Sequence, residues 1–165
     1  MGTKKYILIL LTLVFLAPIV AAQNNSISVT NRSSSVLNIA EVFSAGKGVE
    51  MVVDNKQWIN YSSNLNESEP LISISASIAS GIIPPGVEVY LEASHDYGLG
   101  WGKKGKPTGR IKLGNTPDVL INEIGKCNTG VGKYRGHKLT MSVVIIDYSL
   151  LQSGDFNLYI QYTLN

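Results

Sequence analysis

The sequence predicts an all-β protein: an Ig-like antiparallel β-sandwich of about seven to nine strands, preceded by a signal peptide helix. Three observations lead there. Apolar residues recur with period two in run after run, the spacing that turns one face of a strand into a core. Glycine, proline and serine punctuate those runs. The first 22 residues obey neither pattern and read as a separate unit.

Those first residues open with Lys4 and Lys5 and no acid. Ile7 to Leu16 is apolar except for Thr12, Pro18 interrupts it, and Val20-Ala21-Ala22 follows. A charged start, an apolar stretch and small residues before a cut make a secretory signal. The stretch is about half of the roughly 20 residues that span a membrane. Residues 1–22 are therefore expected to be removed, leaving 23–165 as a single β-sandwich domain with no membrane span.

The strands follow in order. Ile27 and Val29 alternate with serines and Thr30. Val52-Val53 and Trp58-Ile59-Asn60-Tyr61 are two short candidates. Leu71 to Ile78 alternates apolar residues with serine, and Val87, Val89 and Leu91 alternate with Glu88, Tyr90 and Glu92. Pro84-Pro85-Gly86 between them suits a type II turn. Residues 97–117 hold six glycines and read as a long Gly/Lys loop with a short strand near Ile111. Leu139, Met141, Val143 and Ile145 form a stripe, with Val144 and Ile146 on the opposite face, as in a central strand buried on both sides. Phe156, Leu158, Ile160, Tyr162 and Leu164 close the chain on one face of a last strand.

Charge is uneven. Without Lys4 and Lys5, 12 basic residues balance 12 acidic ones. Residues 103–138 nevertheless carry nine basic residues against Asp118 and Glu123. The single cysteine, Cys127, excludes an internal disulfide, so stability must come from a core, where Cys127 is expected as a small buried hydrophobe.

Residues 82–92 and 118–164 carry a resemblance: Ile83-Pro84-Pro85-Gly86-Val87, then Leu120-Ile121, Ile124-Gly125, Cys127, Thr129-Gly130, Gly136, Leu139-Thr140, Asp147-Tyr148-Ser149, and the closing Tyr162-Thr163-Leu164. The pattern resembles uncharacterised exported bacterial β-sandwich proteins, loosely similar to fimbrial, pilin-like subunits. The resemblance implies a fold and a compartment (periplasm, cell surface or medium) and no activity. In pilins the last strand takes part in strand addition between chains, and Phe156, Leu158, Ile160 and Tyr162 match that alternation. The same alternation also serves an ordinary strand of a self-complete sheet.

Motifs of chemistry are few. Gly105-Lys106 runs into Pro107, which excludes a phosphate-binding loop. His95-Asp96 has no companion cluster at metal-ligand spacing, and no nucleophile elbow occurs. Neither an enzyme nor a cofactor is expected. Nucleic acid is disfavoured by export and by the balanced charge. What remains is surface interaction. One expectation is a structural or adhesion-type envelope protein that contacts itself or other envelope proteins. The other is a carbohydrate-binding module. In that module Tyr97 and Trp101 stack on a sugar while Lys103, Lys104, Lys133 and Arg135 on the glycine-rich loops attract an anionic glycan.

Overall fold

A computed structural model describes residues 25–30, 50–151 and 157–165. The expected signal peptide and Phe156 lie outside the described residues. Ten strands form: β1 Ser26–Thr30, β2 Glu50–Asp54, β3 Trp58–Ser63, β4 Ile72–Ser80, β5 Val87–Ala93, β6 Trp101–Pro107, β7 Ile111–Lys112, β8 Asp118–Asn128, β9 His137–Ile145 and β10 Tyr159–Leu164. Every pairing is antiparallel, and the strands connect into one open sheet. The all-β expectation therefore stands. Among the described residues no helix is long and apolar enough to cross a membrane.

Two strands gather the rest. β8 pairs with β4 and β6, and β4 carries β10. β9 pairs with β5 and β2, and β5 carries β7. β3 joins the two groups, pairing Ser62 and Ser63 with β8 and Trp58 and Ile59 with β9, while β1 covers its other edge. Both groups turn apolar residues into one cluster, including Ile74, Ile121 and Ile124 from one side and Val89, Leu91 and Val143 from the other. Cys127 is buried in it as a free thiol.

The alternating runs behave as their period dictates. β5 buries Val87, Val89, Leu91 and Ala93 and leaves Glu92 exposed. At the turn before it, Val87 N–H donates to Pro84 O and Gly86 has φ +78°, the type II geometry. β9 is central in pairing, but its second face is wetter than expected: Val144 is half-buried, and Ile146 lies beyond the strand and is exposed. Along β10 and the two residues before it, Leu158, Ile160, Tyr162 and Leu164 pack against the core while Asn157, Tyr159 and Gln161 face out. Its ladder with β4 extends through Asn165, which exchanges both backbone hydrogen bonds with Ser73.

The long Gly/Lys loop is a correction in its first half. The short strand expected near Ile111 is β7, but residues 101–107 form β6, which runs along β8 from Asn128 to Ile121. Gly102 has φ +84°, and a Cβ there would lie 2.1 Å from the Lys126 carbonyl oxygen. Only glycine permits that approach. The register slips between Gly102 and Lys104, where β8 carries an extra residue.

Candidate functional site

At one end of the sheet the β5–β6 loop, residues 94–100, meets the β8–β9 loop, residues 129–136. Tyr97 N–H donates to Gly136 O at 3.2 Å. The two loops converge on Trp58, the first residue of β3, which is 2% exposed. Tyr97 packs edge-on against Trp58 with ring centroids 4.5 Å apart, and Tyr134 does so at 5.2 Å. The two tyrosines lie 6.4 Å apart and remain about half exposed, at 48% and 54%. A buried tryptophan thus forms the floor beneath two exposed rings. Leu99, Trp101 and Val131 are exposed nearby in sequence, and Lys133 Nζ sits 4.7 Å from the centre of the Tyr134 ring.

A buried polar layer holds this tip in place. Asn60 is fully buried. Its Nδ2 donates to Arg135 O at 2.6 Å and to Gly132 O at 3.3 Å, while its Oδ1 accepts from Gly132 N at 3.1 Å and from Thr30 Oγ1. One side chain therefore fixes both halves of the 130–136 turn. Thr129 accepts from Tyr61 N at 2.9 Å. Tyr61 Oη reaches both the Lys104 carbonyl and His137 Nε2, the latter at 2.8 Å. The His137 ring stacks on Tyr61, nearly parallel. Burial raises the Tyr61 hydroxyl above the ordinary tyrosine range and lowers His137 below the ordinary histidine range.

The expected site residues separate into groups. Tyr97 and Trp101 are exposed, as a binding role requires. Trp101 pairs with Asn128 at the start of β6 and is not one of the rings that meet over Trp58. Lys133 belongs to the tip, and Arg135 folds its side chain against Gly130. Among the described residues neither has a carboxylate partner. Lys103 lies further along, beside Gly125. Lys104 does not present its charge. Its ammonium pairs with Asp96 at 2.5 Å and donates to Leu99 O at 2.8 Å, so it braces the 94–100 loop from within. Leu158, Ile160 and Tyr162 are engaged in the core beneath β10, away from the tip.

Sequence reasoning missed Trp58, Asn60, Tyr61, Tyr134 and His137. Tyr134, framed by Gly132 and Gly136, was the one with a local signal, since it shares the glycine-rich aromatic context of Trp101. Among the described residues no three His, Cys, Asp or Glu side chains are grouped to hold a metal ion. Segments 94–104 and 126–138 carry six Lys and Arg residues, and their only acid is Asp96, which Lys104 neutralises. Compared with protein-family models, curated proteins and solved structures, the chain matches none of them.

Proposed function

We propose that the protein is an exported, adhesion-type module of the bacterial envelope, an Ig-like β-sandwich whose tip binds an anionic glycan. The observation that carries this reading is the exposure of Tyr97 and Tyr134 over Trp58, with Trp101 exposed at the start of β6 and the uncompensated cations Lys133 and Arg135 on the facing loop. Aromatic rings offer flat apolar area at low entropic cost, which suits the C–H face of a sugar. Arginine and lysine select carboxylate, sulfate or phosphate substituents. Export is supported by the Lys4-Lys5, Ile7–Leu16 and Val20-Ala21-Ala22 pattern.

A glycan array probed with the mature protein tests the reading. Binding is expected to acidic polysaccharides, to weaken with salt, and to be lost in Trp101→Ala or Tyr97→Ala. No binding, or binding indifferent to both substitutions, overturns it.

A second reading, pilin-like assembly, is favoured by one feature. β10 ends the strand order and pairs on its β4 side alone among the described residues. Strand addition by another copy along that strand is the assembly this reading expects. Gel filtration at low and high salt tests it, and a monomer under both conditions removes it.

A further inference from the structure

Beneath the rings lies a titratable group that glycan binding does not use. His137 is fully buried. Its Nδ1 stands 2.7 Å from the carbonyl oxygen of Ser94. A carbonyl only accepts, so Nδ1 carries the ring proton and Nε2 of the neutral imidazole faces Tyr61 as an acceptor. The ring thus ties the root of the 94–100 loop to β3. Ser94 is held to β9 twice more, by its N–H on Lys138 O and by Lys138 N–H on its hydroxyl. Three residues on, the same loop presents Tyr97.

The groups around this imidazole decide what a second proton does there. From β3 comes Tyr61, from the loop Ser94 O and Asp96, and from β6 Lys104; Cys127 of β8 acts on the Tyr61 hydroxyl. Tyr61 and Cys127 are uncharged, since burial pushes both up, Cys127 to about 11. Asp96 and Lys104 form a net-neutral ion pair, with Asp96 acting on the imidazole more strongly than the Lys104 ammonium. An imidazolium would therefore be a net buried charge. Several effects work in its favour: the Ser94 carbonyl, the Asp96 carboxylate and the Lys104 carbonyl all attract the cation, and a proton on Nε2 would leave the Tyr61 hydroxyl free to donate to Lys104 O. They are set against the complete dehydration of a cation whose carboxylate neighbour, Asp96, is already paired with Lys104. Dehydration is the larger effect.

We propose that His137 is an acid-operated latch on the tip, which holds the 94–100 loop closed when neutral and releases it when protonated. The direction follows from linkage. A histidine whose pKa is lowered by burial takes its proton more readily once the loop opens to water. The closed tip is fully held above the exposed histidine pKa of about 6.5, and weakens as pH falls through that value toward the buried one. As a means of releasing glycan in acid, the latch rests on the binding reading. As a motion of the loop, it does not.

Hydrogen exchange on the ligand-free protein tests it, comparing protection at 97–99 with protection along β5 and β9. Between pH 7.5 and 5, after correction for intrinsic rates, loop protection is expected to fall by up to about tenfold per pH unit, with the strand amides unchanged. His137→Gln should make the loop indifferent to pH, whereas His95→Gln, on the exposed neighbour, should leave the effect intact. Should His137→Gln fail to fold, the imidazole NMR titration of the unmodified protein decides: a His137 pKa below the ordinary histidine value of about 6.5, coincident with loop opening, is expected. Unchanged or rising loop protection in acid, or a His137 ring that titrates at or above the ordinary value of about 6.5, overturns the latch. Loop opening in acid with an acidic glycan still bound would count against the tip as its site and leave the latch standing.

Discussion

The interior of this molecule changes chemistry along its length. Where β4 crosses β8, the core is Ile74, Ile121 and Ile124, each fully buried. Where β3 passes from β8 to β9, the equally buried residues are Asn60, Tyr61, Thr129 and His137. Apolar burial stabilises in proportion to area and has no direction. The polar layer works by direction: Asn60, Thr129 and His137 bond named backbone atoms of Gly132, Arg135, Tyr61 and Ser94, and Tyr61 and His137 bond each other. The middle therefore sets how stable the fold is, and the polar end sets where the exposed rings stand.

Truncation in the middle is expected to have the largest effect. Ile121→Ala removes three carbons from a closed site and should lower unfolding free energy by about 3–4 kcal/mol, read by denaturant titration. The contact between Tyr97 and Trp58 should survive, so near-ultraviolet dichroism of the folded protein should be unchanged. If that signal collapses along with stability, the middle and the tip are not separate in the way the packing implies.

Asn60→Ala is the complementary experiment. It strands Gly132 N, Gly132 O and Arg135 O in a turn that no longer has a common anchor. A loss of about 2–3 kcal/mol is expected. Here the near-ultraviolet signal should fall even at temperatures where the far-ultraviolet signal is native. A uniform loss of both would mean that Asn60 supports the fold and not the tip in particular.

How much of this was legible in sequence depends on what each strand pairs with. β5 keeps strict alternation, and β9 and β10 keep much of it, because one face rests on the core, and their sequences declare it. β6 does not. Gly102 and Gly105 adopt positive φ against β8, and three lysines replace any apolar stripe, so the strand is held by backbone pairing that no side-chain period reports. β8 is obscured similarly, since its bulges and the left-handed Glu123 break the period of two. At the tip, Tyr97 and Trp101 were legible as aromatics among glycines. Their supports were not, because Tyr61 and His137 meet across 76 positions of chain. Only the topology, with β3 bridging β8 and β9, brings them together.

Lys104 illustrates the same limit, and a comparison of two ion pairs measures it. Lys104–Asp96 and Lys112–Glu88 are both 2.5 Å long. The first pair retains 13% and 15% side-chain exposure, and Asp96 Oδ1 is buried without a hydrogen-bond partner among the described residues. Lys104→Met leaves that carboxylate enclosed and uncompensated. A loss of about 2 kcal/mol is expected, below the range for a fully buried pair because some water still reaches it. The substitution should also loosen the loop that Lys104 ties through Leu99 O.

Lys112→Met should do almost nothing, although the pair it breaks is the same length. Glu88 is held below the ordinary carboxylate range, first by Lys112 and then by the Tyr90 hydroxyl. A lowered carboxyl contributes stability above its unfolded pKa, about 4.3, and loses it as pH falls toward the folded value. Lys112 is 57% exposed, however, so solvent and salt screen the attraction. The Tyr90 hydroxyl bond to Glu88 also remains after the substitution. At physiological salt the expected shift in Tm is within error at pH 7, and any difference should shrink as pH falls below the unfolded carboxylate pKa of about 4.3 toward the lowered folded one. A drop comparable to that of Lys104→Met would mean that separation alone governs these pairs. Indifference at Lys112 alongside loss at Lys104 would assign the difference to burial, the same property that makes the polar end of this core a fixed mount for the rings above it.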